Sequence, residues 1–286
     1  MNAIIMAAGM SARFAPLSFE RPKGLLRVKG EVLVERQIRQ LQEAGISDIT
    51  LVVGYKAEMF SYLKDKMDVD IVVNEDYYRY NNTSSLIRVV DRLDNTFVCS
   101  SDNYFTENVF LEEPKSAYYA AVYQDGITDE WCIRTNDKDI ITSVEIGGKD
   151  SWYMCGHVFF DHEYSSIFKT LLLEEYENEE CKNMLWEDLY IKHITNLMMK
   201  IKRYENGIIN EFDSLEDLRS FDETYIYNTG SAIFKAICEE LLCEEKDIIN
   251  VKAIKHGTQC DSFTFELHNM KYEYNVQSNK LKRIEL

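Results

Sequence analysis

Arg13 and Lys23 stand ten residues apart and follow a turn of small residues, Ala7-Ala8-Gly9-Met10-Ser11-Ala12. That combination can hold a polyphosphate. Backbone N–H groups in a turn with little side-chain bulk can approach a phosphate closely, and two cations can neutralise more than one phosphate group. The apolar run Ala3-Ile4-Ile5-Met6 ahead of the turn reads as a buried strand. Together these residues suggest a nucleoside triphosphate site. No Gly-Lys-Ser/Thr follows Gly9, so this is not a Walker loop. The further glycines of the dinucleotide fingerprint are also missing. The bland alternative is an ordinary strand-turn with scattered surface cations.

Three more groups of side chains could do chemistry. Asp102 lies just past the apolar stretch Phe97-Val98-Cys99. A carboxylate there could hold Mg²⁺ on a triphosphate, or form an Asx turn with Asn103. In Asn210-Glu211-Phe212-Asp213, alternation puts Glu211 and Asp213 on one face of an extended segment. Two carboxylates on one side are costly unless a cation joins them. Equally, Asp213 or Ser214 could cap a following helix. The polar run Tyr80-Asn81-Asn82-Thr83-Ser84-Ser85 begins a helix. Asn82, Ser84 and Ser85 could read a pyrimidine edge or a ribose, or serve as caps.

The elements that must position these groups alternate over the first 110 residues. Strands are predicted at 2–6, 49–53, 69–73 and 97–99, and helices at 31–44, 56–66 and 83–93. Such alternation implies βαβ units and a mainly parallel sheet. Ligands of such sheets bind outside the carboxyl ends of the strands. From about 115 the pattern becomes a mixed-sheet region, with strands at 118–123, 131–134, 140–146 and 156–160. Helices at 163–177 and 183–201, a strand at 203–210 and a helix from Ser214 complete it. The fold class is α/β, a doubly wound, mainly parallel sheet over residues 1–225. A small α+β appendage covers 230–286, with an amphipathic helix at 231–244.

Composition bounds the function. The 286 residues are 45% hydrophobic and 28% charged, which is globular. Forty-nine acids against thirty-two bases give a net charge of −17. Such a surface repels nucleic acid and anionic membranes. A nucleotide site must therefore be locally basic, and Arg13, Arg21, Lys23, Arg27 and Lys29 supply that. Seven cysteines without a Cys-x-x-Cys pair indicate neither a zinc site nor a disulfide framework. The five histidines, at 157, 162, 193, 256 and 268, form no ligand spacing. No apolar stretch approaches a membrane span, and a cytoplasmic location is expected. The sequence is silent on oligomeric state and leaves an oligomer open.

The opening loop resembles that of the nucleotidyltransferases that make activated sugars and alcohols, where the pattern is roughly Ala-Ala-Gly-x-Gly-x-Arg with Pro-Lys downstream. Here Ser11 replaces the second glycine, and Pro22-Lys23 supplies the later pair. Asn81-Asn82-Thr83-Ser84-Ser85-Leu86 narrows the resemblance to the bacterial choline-phosphate cytidylyltransferases and their 2-aminoethylphosphonate relatives. Thr128-Asp129-Glu130-Trp131, Leu185-Trp186-Glu187-Asp188 and Glu211-Phe212-Asp213-Ser214 resemble further stretches of that family, so the likeness covers about residues 1–222.

The resemblance implies CTP as donor and a phosphorylated amino alcohol as acceptor. It implies Arg13 and Lys23 as the catalytic cations, and residues 7–12 with Asn82, Ser84 and Ser85 around the nucleotide. Mg²⁺ would rest on Asp102 and Asp213, with Glu211 accessory. A trimethylammonium group is held by aromatic faces and carboxylates. Trp131, Trp186, Tyr153, Tyr190, Glu187 and Asp188 offer both, although core packing would explain any single tryptophan as well. Other readings are a 2-aminoethylphosphonate or phosphoethanolamine cytidylyltransferase, a sugar-1-phosphate nucleotidyltransferase, and a non-catalytic nucleotide-binding regulator.

The C-terminal stretch Gly257-Thr258-Gln259-Cys260-Asp261-Ser262-Phe263, followed by 267–272, resembles the first strands of choline kinase-like phosphotransferases. Asn275 stands where that family has arginine, and no catalytic loop follows. Kinase activity is not expected.

Overall fold

Ile4, Ile5, Leu51, Val52 and Val53 are fully buried, as apolar runs are in strands covered on both faces. In the computed structural model, which describes residues 1–256 and 259–284, these runs are neighbouring strands. The strands β1 (Asn2–Ala7), β2 (Ile49–Val53), β3 (Asp70–Val73), β4 (Thr96–Ser100), β5 (Tyr118–Thr135), β6 (Ile141–Phe160) and β7 (Lys200–Tyr204) form one sheet. Their order is β7-β5-β6-β4-β1-β2-β3. β1 is parallel to β2 and β4, β2 to β3, and β5 to β7. β6 is antiparallel to both β4 and β5. The mainly parallel α/β sheet expected from the alternation is present.

By contacts the chain divides into two compact units, Met1–Gly9 with Leu33–Glu211, and Met10–Val32 with Phe212–Leu286. In the first unit the helix Leu33–Glu43 buries Leu33, Val34, Ile38 and Leu41. Its Gln37 Nε2 donates to the Ser100 carbonyl at 3.1 Å, and Ser101 N donates to Met6 O. Both bonds hold the end of β4, where Asp102 follows. A two-stranded ribbon, Asn103–Phe105 with Ile209–Glu211, places Glu211 opposite Asn103.

Several elements differ from expectation. The mixed-sheet region is two long strands, β5 and β6, with register shifts along the pair where short separate strands were expected. The helix expected over 183–201 is two short helices, Glu179–Asn183 and Trp186–Lys192, and β7 begins at Lys200. Met184 ends the first helix with extended backbone, and Asp188 caps the second through Leu185 N at 2.9 Å. The strand expected over 203–210 is divided by a turn at Gly207, where φ is +86°. The helix expected over 83–93 is one α turn, Thr83–Leu86, followed by 3₁₀ turns to Arg92 with a kink at Val89.

The second unit carries an antiparallel meander of β8 (Ile249–His256), β9 (Gln259–Leu267), β10 (Met270–Asn275) and β11 (Lys280–Ile284). Phe263 pairs with Tyr274 and Phe265 with Tyr272, the latter rings stacked at 5.4 Å. The helix Ala232–Leu241 buries Phe234 and Ile237, and Phe234 meets Phe263 edge-on. The kinase-like turn at Gly257-Thr258 lies outside the described residues.

Residues 10–32 join this unit through long-range bonds. Glu20 Oε1 accepts from Ser231 Oγ at 2.8 Å and Ile233 N at 2.9 Å. Tyr225 OH donates to the Arg27 carbonyl and Lys29 N to Asp222 Oδ2, both at 2.6 Å. By contacts the units part at 211/212, whereas the sequence suggests a boundary between 225 and 230. The helix Leu215–Phe221 and the turn Thr224–Tyr227 lie with the C-terminal meander.

Glu20 satisfies two donors at the start of the helix Ala232–Leu241, where a negative charge is also favoured by the helix dipole. Glu20→Ala should destabilise the protein by about 1–3 kcal/mol in chemical denaturation, and Glu20→Gln by less. Equal loss in both variants would mean that the hydrogen-bond acceptor is not what matters.

Candidate active site

In the second unit, Asp213 gathers the two loop cations. Arg13 Nη2 lies 2.8 Å and Lys23 Nζ 3.7 Å from the same oxygen, Asp213 Oδ1. The two cations are unlike in setting. The Arg13 side chain is 73% exposed, whereas that of Lys23 is 8% exposed. The Lys23 ammonium lies over the Phe14 ring at 4.7 Å. An exposed pair such as Arg13–Asp213 adds little stability, so its value lies in placing charge. The cap expected near Asp213 falls to Ser214. Its hydroxyl accepts from Asp217 N, while Asp217 Oδ2 accepts from the backbone of Asp213 and Ser214. That leaves the Asp213 carboxylate turned to the cations.

Ser11 has φ 49° and ψ 47°, the left-handed region. Glycine enters that region without strain, and the substituted position is therefore one where the resembling loops carry glycine for a conformational reason. In the first unit, Ala7 and Ala8 are buried, Gly9 is exposed, and a Cβ on Gly9 would meet no protein atom within 4 Å. Packing does not require glycine there. Ala8 O accepts from Tyr55 N at 3.0 Å. Gly54, the residue before, permits that approach. A Cβ on Gly54 would lie 2.6 Å from Tyr77 Cβ and 2.9 Å from Ala8 O.

Also in the first unit, Glu211, Glu130 and Asp102 act on the buried Cys155 thiol. Burial pushes that thiol's pKa well up, and all three carboxylates push it further. Glu211 Oε2 accepts from Asn103 Nδ2 at 3.3 Å and lies 4.0 Å from Cys155 Sγ. Tyr153 is half-buried, its phenol raised chiefly by burial. Among the described residues no group of three or more His, Cys, Asp or Glu is placed to hold a metal ion by itself. Asp102 and Glu211, both hard oxygen donors, nevertheless act on the same Cys155 thiol. Mg²⁺ commonly takes only one or two carboxylates and completes its shell with substrate phosphate and water.

A third group joins the start of the helix Trp186–Lys192 to the chain at 82. Asn82 Oδ1 accepts from Trp186 N at 2.6 Å, and Asn82 Nδ2 donates to Glu187 Oε2 at 3.2 Å. Tyr119 OH donates to Glu187 Oε1 at 3.5 Å, and the Tyr119 ring stacks on Trp186 at 5.8 Å and 11°. The Glu187 carboxyl is pushed up to about 7, first by desolvation and further by Asp188, against the hydrogen bonds from Asn82 and Tyr119. Tyr119 is absent from the sequence-based set. Its only signal was the apolar run at 118–123, which marks a strand and not a site.

Several expected site residues lie inside the protein. Ser84 is fully buried and Ser85 nearly so, and both hydroxyls accept from Asn74 Nδ2, at 2.8 and 3.1 Å. They hold a turn inside the protein. Trp186 is 2% exposed, with Phe160 and Phe168 edge-on to it. Tyr190 is fully buried against Tyr164. Both belong to the core, as aromatics at helical spacing commonly do. Asp188 is a helix cap. Of the expected acceptor residues, Glu187, Asp188, Trp131 and Tyr153 keep exposed surface. His157 is structural as expected. It is buried among Phe97, Phe105, Phe110, Tyr118 and Tyr204, hydrogen-bonds Tyr118 at 2.9 Å, and is held neutral by desolvation, its pKa lowered to about 3.

A mainly parallel sheet whose first strand runs into a small-residue loop, followed by two cations on one carboxylate, defines a nucleotidyltransferase. The MobA-like NTP transferase domain matches residues 3–133. The chain is 33% identical over 223 residues to the choline-phosphate cytidylyltransferase of Streptococcus pneumoniae, covering 78% of this chain and 97% of that protein. It is 34% identical over 230 residues to the 2-aminoethylphosphonate cytidylyltransferase of Lancefieldella rimae, covering 79% and 94%. The solved structure of the CTP:phosphocholine cytidylyltransferase from Streptococcus pneumoniae matches with a TM-score of 0.75 over 78% of this chain and 98% of that one. The chain belongs to the choline-phosphate cytidylyltransferase family, and it is a nucleotidyltransferase.

Ser11→Gly should keep stability within about 1 kcal/mol, because relief of left-handed strain offsets the added freedom of the unfolded chain. Ser11→Val should melt clearly lower. Glu187 has a folded pKa above its unfolded value, so its stabilising contribution is complete below the unfolded value near 4.5 and is lost as pH rises through about 7. Glu187→Gln should therefore melt above wild type at pH 8 and close to it at pH 4. A pH-independent difference would contradict the buried charge.

Proposed function

We propose that the protein transfers a cytidylyl group from CTP to phosphocholine, giving CDP-choline and pyrophosphate with Mg²⁺ as cofactor. The observation that carries this reading is the pair of cations on Asp213. A polyphosphate reaching Arg13 and Lys23 meets two positive charges already ordered by a carboxylate, one of them nearly dry. Charges fixed in advance and shielded from water stabilise a developing anion at little reorganisation cost.

In the proposed reaction an oxygen of the acceptor phosphate attacks the α-phosphorus of CTP in line. The bond to the bridging oxygen breaks, and pyrophosphate leaves with its electron pair. The acceptor phosphate is already ionised, so no general base is required. Lys23 would screen the two anions that must approach, the α-phosphate and the acceptor phosphate. Arg13 would stabilise the departing β,γ-phosphates. The N–H groups of residues 8–12 would cradle the triphosphate. Asp102 and Asp213, with Glu211 accessory, would hold Mg²⁺, which supplies further charge neutralisation. Glu187, Trp131 and Tyr153 would meet the cationic head of the acceptor. CTP is a cytoplasmic metabolite, and the reaction places the enzyme there.

A second acceptor class has a specific argument. A relative of nearly equal identity is a 2-aminoethylphosphonate cytidylyltransferase. A primary ammonium donates hydrogen bonds, and Glu187 can accept them. A trimethylammonium group cannot donate and would rely on the aromatic faces.

The test is pyrophosphate release with CTP or UTP and phosphocholine, phosphoethanolamine, 2-aminoethylphosphonate or glucose-1-phosphate. Release with CTP and phosphocholine is expected to dominate. A preference for a primary amine would keep the chemistry and replace the acceptor. CTP binding without any release would favour a non-catalytic regulator. Lys23→Ala should lower kcat by about 10²–10³ while CTP affinity changes much less. Near-wild-type turnover in a variant with an unchanged melting temperature would remove Lys23 from the mechanism.

A further inference from the structure

Asn81, Asn82 and Thr83 direct their polar groups at one segment, residues 181–187. Asn81 N donates to the Lys182 carbonyl at 3.1 Å. The Thr83 hydroxyl oxygen lies 2.9 Å from the Cys181 carbonyl, 2.9 Å from that of Met184 and 3.2 Å from that of Lys182. Thr83 is fully buried. One hydroxyl proton cannot serve three carbonyls at once, yet it is the donor on which they converge. Asn82 then takes the next two positions, accepting from Trp186 N and donating to the Glu187 carboxylate.

These bonds meet a need of the 181–187 chain. The helix Glu179–Asn183 ends, the backbone turns through extended residues, and the helix Trp186–Lys192 begins within three residues. Carbonyls at a helix end and N–H groups at a helix start are both left over by the helices themselves. Here the Thr83 hydroxyl and Asn81 N serve carbonyls of the first set, and Asn82 Oδ1 takes Trp186 N from the second. The direction in which Glu187 leaves its helix is therefore set from the chain at 82–83.

We propose that Asn82 and Thr83 are positioning residues for the acceptor end of the site, holding Glu187 at the place where it meets the acceptor's cationic head. This rests on the reading of Glu187 given under the proposed function. It reassigns the polar run at 81–85 from reading the nucleotide to building the acceptor side. Asn82 cannot turn its amide to a base without giving up Trp186 N and the Glu187 carboxylate together.

The test uses Thr83→Val, which keeps the shape and removes the donor, Thr83→Ser, which keeps the donor, and Asn82→Ala. Hydrogen–deuterium exchange reports the clamp without any need for activity. Protection over 181–187 should fall in Thr83→Val and Asn82→Ala and stay near wild type in Thr83→Ser. Unchanged protection in the Val and Ala variants overturns the clamp. Steady-state pyrophosphate release then reports the link to the acceptor. The phosphocholine KM should rise about tenfold or more in Thr83→Val and Asn82→Ala, the CTP KM should stay within about twofold, and Thr83→Ser should recover most of the loss. A rise confined to the CTP KM overturns the proposal and returns Asn82 to the nucleotide. Lost protection with an unchanged acceptor KM overturns the acceptor role. A wild type inactive with every acceptor sinks the reaction, and with it the acceptor role, while exchange still decides the clamp.

Discussion

The close approach of two backbones at the ends of β1 and β2 is the constraint on which the nucleotide side depends. Tyr55 N donates to Ala8 O, and Gly54 leaves no room there for a Cβ. The bond extends the β1–β2 ladder one step past the last paired residues, Ala7 and Val53. It therefore carries the rigidity of the sheet into the first residues of the loop. A phosphate-binding turn gains from such anchoring, because N–H groups that are already ordered lose little freedom when an anion arrives. Gly9, one residue further, is free of packing demands and exposed. Rigidity ends and accessibility begins within a single residue.

Polar residues beside the site divide into those that face outward and those that hold the frame. Asn74, Ser84 and Ser85 bond one another inside the protein, and the Thr83 hydroxyl lies among the carbonyls of Cys181, Lys182 and Met184. Buried polar groups without such partners would each cost more than a typical hydrogen bond returns. Their satisfaction is what lets a short irregular stretch, 74–86, stay fixed without a long helix. Asp213 represents the opposite arrangement. Its backbone is held by Asp217 and its carboxylate is left to Arg13 and Lys23.

Much of this was legible in the sequence, for identifiable reasons. β1, β2 and β4 announce themselves because parallel strands buried on both faces are short apolar runs. The loop announces itself because small residues followed by Arg13 and Lys23 have little use in a core. The same cannot be said of Asn82, Ser84 and Ser85. Asparagine and serine at a helix start are the residues that cap helices, that tie loops together and that read nucleotides, and only the bonds of Asn74 and Trp186 separate these uses. Trp186 and Tyr190 have the composition of an aromatic cage, yet they lie on the buried side of a two-turn helix. The membership of residues 10–32 in the second unit was illegible for another reason. It rests on single long-range bonds such as Glu20 to Ser231 and Tyr225 to Arg27, which leave no periodicity to read.

Under the proposed reaction, Glu187 is one carboxyl set apart to meet a cationic ligand in an acidic protein. With a net charge of −17, the protein has many carboxylates that could attract a small cation without selecting it. Glu187 differs because it is partly withdrawn from water, beside Tyr119 and the Trp186 ring, and its ionisation lies near neutrality. A fully solvated carboxylate gains little from a cation, since water already screens it. A desolvated one gains more, since the cation stabilises the charged form that burial disfavours. Under the proposed reaction, the arriving head group would favour ionisation of Glu187 and be held by the charge it helps create. The clamp from Asn82 and Thr83 matters for this reason. A carboxyl free to swing into water would return to an ordinary pKa and lose the advantage, whereas one donor amide and one phenol keep it at the aromatic surface. Selectivity between a trimethylammonium and a primary ammonium then depends on what the ligand can donate, because the charge is common to both.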